Sequence, residues 1–262
     1  MGNTKQINKR RFGGVVKSYG ADAFERFARA NVCVLGVGGV GSWVVEALAR
    51  SGIATLTLVD MDVVAESNIN RQLHALEGTV GRDKIKVMSE RAHQINPLAR
   101  ITLIDDFVTV ENAMDLLDGQ FSYVVDCIDN FRIKAAVISA CKISNTPVLT
   151  IGGAGGKIDP SLIVCGDLSG TERDPLLAQT RKLLRQKYQF TRQQGESFNV
   201  PTVYSKEERN LRSEDGSTSD NASGLSCDSA IGSLTHVTGS FAFSAVAFVL
   251  EELSSKAERS VR

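Results

Sequence analysis

The chain of 262 residues has no Cys-x-x-Cys pair, no excess of either charge and no apolar stretch at its N-terminus. Each absence excludes a class of protein. Cys33, Cys127, Cys141, Cys165 and Cys227 are scattered and odd in number, against both a disulfide framework and a four-cysteine zinc site. Lys and Arg total 30, as do Asp and Glu, so global charge predicts neither a nucleic-acid nor a membrane partner. The polar, basic N-terminus carries no secretory signal, and a cytoplasmic protein with reduced thiols is expected. The most apolar run, from Phe241 to Leu250, covers about half a bilayer span. A buried core or dimer-interface helix is therefore expected there, without stable membrane insertion; peripheral membrane contact stays open. No internal repeat is present.

What the chain does have is a glycine-rich turn, Gly36-Val37-Gly38-Gly39-Val40-Gly41, directly behind the apolar run Asn31–Leu35. Gly36 allows a tight turn off a strand, Gly38 lets backbone N–H groups approach phosphate, and Gly41 lets the following helix pack close to the strand. Trp43, Val44, Ala47 and Leu48 then recur at helical spacing, Gly52 breaks the helix, and Ala54–Val59 reads as the next strand. That strand ends at Asp60, close to the roughly 20-residue offset at which an acid meets a ribose hydroxyl. Two later clusters separate the chain from ordinary dinucleotide enzymes: Ser67-Asn68-Ile69-Asn70-Arg71-Gln72 with Lys84, and Asp126-Cys127-Ile128-Asp129-Asn130. Arginine, lysine and a carboxylate on one edge suit the cleavage of a triphosphate. Other readings stay open at this point. Arg71 and Lys84 also read as solvated helix-end charges, Asp129 as a helix N-cap, and Asp62 as a turn cap.

The fold class that follows is α/β, a Rossmann-like doubly wound, mostly parallel sheet with an N-terminal helical arm and a C-terminal extension. Residues before about 30 form the arm, with Phe24 and Phe27 on a short amphipathic helix. Strands are expected at 31–35, 54–59, 101–104, 122–126 and 147–151, with helices at 42–50, 83–94, 110–117 and 131–144. Residues 31–156 make a nucleotide-binding core that closes on Gly152-Gly153-Ala154-Gly155-Gly156, and 157–262 a substrate-side extension of the same domain. Within the extension come a strand near 162–164, a basic helix over 176–188, a strand near 202–204, a mobile loop over 206–228 and a last helix over 233–252.

These clusters resemble the ubiquitin-activating-enzyme superfamily. Further matches are Arg11-Phe12-Gly13-Gly14, Gln94-Ile95-Asn96-Pro97, Asp105-Asp106-Phe107-Val108 and Lys157-Ile158-Asp159-Pro160 after the second glycine run. Within the superfamily the pattern is most similar to the bacterial branch that dehydrates threonylcarbamoyladenosine beside the anticodon of tRNA. The resemblance is dense from Arg11 to about Leu177 and returns near Cys227 and the last helix.

The resemblance implies ATP, Mg2+ and tRNA as ligands, and a homodimer. Gly36, Gly38, Gly39 and Gly41 would face the phosphates, Asp60 the ribose, and Asn68, Arg71, Gln72 and Lys84 the nucleotide. Asp129 would bind magnesium. Arg11 matches an arginine that reaches across a dimer into the second subunit's phosphates. Superfamily members convert a carboxylate into an acyl adenylate; here the threonyl carboxylate would be adenylated and ring closure would expel AMP. Cys227 lies where ubiquitin-type members place a thioester cysteine, yet intramolecular closure has no need of a thiol. A sulfur-relay or cysteine desulfurase partner is compatible with the resemblance. Adenylation of the Gly-Gly tail of a sulfur carrier is the alternative within the superfamily; the zinc-holding cysteine pairs usual in such relatives are missing. An NAD-dependent oxidoreductase needs Asp60 but has no use for Arg71, Lys84 and Asp129, while a non-catalytic subunit would not need the full set. Arg181, Lys182, Arg185, Lys187 and Arg192 form a basic cluster that is either a solvated helix face or a tRNA contact.

Overall fold

The computed structural model describes residues 2–118, 120–209 and 232–255. Strands β1 (Asn31–Leu35), β2 (Thr55–Val59), β3 (Arg100–Ile104), β4 (Tyr123–Asp126), β5 (Val148–Ile151), β6 (Ile163–Asp167) and β7 (Pro201–Ser205) form one sheet in the order β3-β2-β1-β4-β5-β7-β6. All neighbours are parallel except β6 and β7, so the expected doubly wound, mostly parallel sheet is present. The helices are α1 (Gly2–Tyr19), α2 (Ala21–Arg29), α3 (Gly41–Arg50), α4 (Lys84–Ile95), α5 (Ala113–Leu116), α6 (Phe131–Ile143), α7 (Pro175–Lys187) and α8 (Thr235–Ser255).

Burial explains why the strands read as continuous apolar runs. In β1, Val32 and Val34 join the core on one face of the sheet, and Cys33 and Leu35 join the core on the other. A parallel strand covered on both faces needs apolar residues at every position. The chain leaves β1 toward β2 and β3, then returns to lay β4 on the opposite side of β1. The strand order therefore reverses between β1 and β4, and a crevice opens outside their C-terminal ends.

Two elements differ from the sequence expectations, and a third, the last helix, is buried as expected. The arm holds two helices where the sequence predicts one; Gly13 and Gly14 inside α1 lower its intrinsic propensity and hide it from a pattern reading. Helix α5 spans only Ala113–Leu116, because Thr109 and Asn112 bond each other's backbone amides through their side chains and close a turn ahead of it. Helix α8 is long and apolar enough to cross a membrane by composition, yet Val237, Phe241, Ala245 and Val249 are buried against the core as its neighbours α2 and α3 require. Trp43 of α3 meets Phe243 of α8 edge-on, ring centroids 6.1 Å apart. The expected loop over 206–228 begins in described structure, with the Lys206 amide bonded to the Leu162 carbonyl; the rest of it, and Cys227, lie outside the described residues.

Candidate active site

The glycine turn closes the C-terminal end of β1 at the point where strand order reverses. Gly36 has φ +81°, and its amide bonds the Val59 carbonyl. A Cβ on Gly41 would sit 1.8 Å from the Gly36 carbonyl oxygen, so no other residue fits there. Gly38 is different: a Cβ there would meet only the Gln72 amide nitrogen, at 3.9 Å. Its bareness serves access and not packing. Helix α3 begins with no side-chain cap, which leaves the positive end of its dipole open to an anion, while the Ser42 amide bonds the Gly38 carbonyl at 3.0 Å.

The turn is clamped through one peptide residue. Asp60, at the end of β2, accepts from the Val37 amide at 2.6 Å with one oxygen and from the Asp62 amide at 2.8 Å with the other. Each carboxylate oxygen has a second lone pair, so capacity for ribose hydroxyls remains. On the far side of Val37, His74 Nε2 lies 2.8 Å from the Val37 carbonyl. A carbonyl only accepts, so Nε2 carries the proton and Nδ1 is an acceptor; it is buried without a partner. Burial holds this imidazole below its ordinary pKa; the Val37 bond and Asp60 oppose that and the nearby Lys84 ammonium adds to it. Sequence reasoning misses His74, because no spacing rule links it to a turn that precedes it by more than thirty residues.

The segment from Ala65 to Gln72 folds over the turn. Asn68 closes a 3-10 turn by accepting from the Ala65 amide at 3.1 Å. The Arg71 guanidinium donates to the Ser67 carbonyl and the Asn70 side chain, both at 2.9 Å, and its aliphatic stem lies 3.6 Å from where a Gly39 Cβ would stand. Its carbonyl is held by Trp43 Nε1 at 3.2 Å. Arg71 is thus strapped along the turn and is not a solvated helix end. Gln72 is buried, with Oε1 lacking a partner. Lys84 opens α4 and is 5% exposed, so it too is no solvated charge. A cation at a helix N-terminus faces the unfavourable end of the dipole; Asp62 Oδ2 compensates at 2.7 Å. Asp62 therefore pairs with Lys84 and does not cap a turn.

At the end of β4 the two acids of the motif divide. Asp126 is fully buried, 2.8 Å from Lys134 Nζ and 2.7 Å from the Thr150 hydroxyl, while Lys134 also donates to Thr150 at 3.0 Å. This triad ties β4, α6 and β5 together beneath the crevice and gives Asp126 no access to a ligand. Asp129 is exposed in the loop beyond. It does not cap α6: Asn130 does, accepting from the Arg132 amide at 2.9 Å.

Other expected residues lie elsewhere. Arg11 donates to the Ile95 carbonyl at 2.9 Å, at the C-terminal end of α4. Since α4 starts at Lys84, that end is remote from the crevice, and Arg11 is not brought to this edge within one chain. On α7, Arg181 binds the Thr171 hydroxyl and Arg185 reaches the Thr191 carbonyl at 3.3 Å and stacks over Phe198. Lys182, Lys187 and Arg192 remain exposed. Among the described residues no group of three His, Cys, Asp or Glu forms a metal cluster. Burial raises the thiols of Cys33, Cys127 and Cys165, and pushes Cys141 up to about 12.

Comparison with known proteins agrees with this geometry. The ThiF family profile matches residues 13–260. A tRNA threonylcarbamoyladenosine dehydratase from Haemophilus influenzae is 45% identical over 248 residues, covering 95% of each chain. The one from Escherichia coli is 43% identical over 257 residues, covering 96% of each. The solved Escherichia coli enzyme, TcdA, in complex with ATP superposes with a TM-score of 0.86 at 43% identity over 96% of each chain. This chain belongs to the ThiF family and, within it, to the tRNA threonylcarbamoyladenosine dehydratases.

Proposed function

We propose that this protein uses ATP to dehydrate N6-threonylcarbamoyladenosine in tRNA, through an adenylate of the threonyl carboxylate. The observation that carries the reading is the uncapped start of α3 at the β1–β4 switch point, with the Arg71 stem beside Gly39. Backbone amides beside Gly38 and Gly39 receive the phosphates, and Asp60 receives the ribose. Arg71, with Asn68 and Gln72, and Lys84 neutralise charge that builds as the triphosphate is cleaved.

Mg2+ fits the donor set at Asp129. A nucleotide-bridged magnesium needs only one or two protein carboxylates besides phosphate oxygens, and Asp126 is committed to Lys134. When bound, the ion would draw charge from the phosphate oxygens. The remaining chemistry is orientation. A threonyl carboxylate oxygen attacks the α-phosphorus, the bond to the β-phosphate breaks, and pyrophosphate leaves. The substrate's own carbamoyl group then attacks the activated carbonyl carbon and gives up a proton. AMP departs with the carboxylate oxygen, so one water is lost overall. No enzyme nucleophile is required, in keeping with the raised thiols of the described cysteines.

The reading locates the enzyme with its substrate in the cytoplasm. Arg11 can act on phosphates only if a second subunit presents it, so a homodimer in solution is the condition for that role. The test is pyrophosphate release from ATP with defined acceptors. Release with threonylcarbamoylated tRNA supports the reading; release only with a protein tail ending in Gly-Gly would replace it with sulfur-carrier activation.

A further inference from the structure

A second site lies on the same sheet edge as the nucleotide crevice. Gly152 and Gly153 follow β5, the neighbour of β4, and the Gly153 amide donates at 2.9 Å to Asp174, the N-cap of α7. This bond joins the strand end to a cavity of about 350 Å³ whose wall carries Arg173, Arg181 and Arg209 with Asp174 and Glu208.

Three guanidiniums, of Arg173, Arg181 and Arg209, stand on the cavity wall against two carboxylates, of Asp174 and Glu208. Asp174 is taken up by the amides of Gly153 and Leu177, at 2.9 and 3.0 Å. Glu207 accepts from the amides of Ile158 and Asp159, both at 3.0 Å. Glu208 approaches Arg173 only to 3.7 Å, with both side chains more than half exposed, a geometry that contributes little. Behind the wall, Lys157 is buried and donates to the carbonyls of Arg173 and Glu207. Burial holds Lys157 below the usual lysine range; Asp174 and Glu207 oppose this and Arg209 and Arg173 add to it. Arg181 is likewise disfavoured by burial and by Arg185. Arg173 also adopts φ +55°, a conformation costly for a bulky side chain, and its guanidinium is fixed by the Lys206 carbonyl at 3.1 Å. Three guanidiniums lining one open cavity attract an anion.

A larger cavity of about 390 Å³ offers a contrast. It is lined by Arg11, Arg50 and Arg91 at the far ends of α3 and α4, but Arg50 and Arg91 both close on the buried Glu46, at 2.8 and 2.7 Å. Those two guanidiniums are held by a shared carboxylate, and that edge is remote from the chemistry.

We propose that the cavity bounded by Arg173, Arg181 and Arg209 is an anion subsite that takes one backbone phosphate of the substrate tRNA. The proposal rests on RNA being the substrate. Guanidinium forks suit a phosphodiester, and the shared sheet edge lets one RNA molecule reach both the subsite and the adenylation crevice.

The test is binding of threonylcarbamoylated tRNA by fluorescence anisotropy across a salt series, with ATP binding measured on the same samples. Arg173→Ala/Arg209→Ala should weaken tRNA binding about tenfold and lower the slope of log Kd against log salt by about 0.7–0.9, the value for one phosphate. ATP affinity should stay at the wild-type level. The double lysine variant at these positions should keep the salt slope and lose part of the affinity, since charge survives and the fork does not. Arg209→Ala alone leaves the bonds that hold Arg173 in place and should shift the slope in the same direction. Wild-type tRNA affinity and slope in both alanine variants overturn the proposal. A wild-type protein that releases pyrophosphate without any tRNA dependence overturns the functional reading first, and this subsite with it.

Discussion

Lys84 Nζ lies 2.7 Å from Asp62 Oδ2, a pair in which the ammonium is buried and the carboxylate is more than half exposed. For Lys84 to meet a nucleotide's phosphates it must share or leave Asp62. On the proposed function, the pair is a resting position for Lys84, in which Asp62 holds it against the N-terminal dipole of α4.

Asp62→Asn should leave Lys84 buried without a counter-charge until ATP arrives. The ligand-free variant should melt lower than wild type by about 2–4 °C, the shift for ~1 kcal/mol in a chain of this size. Saturating ATP should restore much of the difference, because phosphate replaces the lost carboxylate. Thermal melts with and without ATP check this; an ATP-induced rise no larger than that of wild type contradicts it.

The two acids after β4 should separate catalysis from stability. Asp129→Ala should lower pyrophosphate formation by roughly 10²–10³-fold in protein that still folds. Asp126→Ala strands Lys134 in the core and should cost about 3–5 kcal/mol of stability. Paired denaturant curves and pyrophosphate assays decide; a folded Asp129→Ala protein of normal activity removes Asp129 from the site.

His74 makes a pH prediction. Its folded-state pKa is lowered, so the unfolded chain binds the proton more readily and stability falls as pH drops below the unfolded value of about 6.5. Above that value its contribution is complete. A glutamine side chain in its place keeps a donor for the Val37 carbonyl but does not titrate, so His74→Gln should lose less stability than wild type between about pH 7.5 and 5.5. Urea unfolding at both pH values measures the difference, and parallel losses in the two proteins refute it.

Much of this arrangement is legible in the sequence wherever the signal is local. The glycine spacing, Asp60 at the strand end and the apolar runs predict the crevice, and strand limits agree within one residue for β1 to β5; four of these are buried almost throughout, while β3 lies at the sheet edge with Arg100 and Thr102 in its run. What escapes is every partnership across elements. Nothing in the run Phe131-Arg132-Ile133-Lys134 marks Lys134 as the buried partner of Asp126 and Thr150. Nor does anything separate the cations of α7: a basic helix reads as one charged face until Thr171 is seen to hold Arg181 and Phe198 to lie under Arg185.

Cys227→Ser should retain most activity, since AMP is an adequate leaving group and the attacking group belongs to the substrate. Steady-state dehydration assays check this. An inactive variant, or a thioester trapped on the wild-type protein, would replace direct ring closure with a covalent route.

The most direct measurement is mass spectrometry of threonylcarbamoylated tRNA after incubation with the pure protein. The account predicts that the modified nucleoside loses the mass of one water when ATP and Mg2+ are present, with one AMP and one pyrophosphate formed per event, and keeps its mass when ATP is omitted. An unchanged nucleoside mass in the presence of ATP, from protein that binds both ATP and the tRNA, would contradict it.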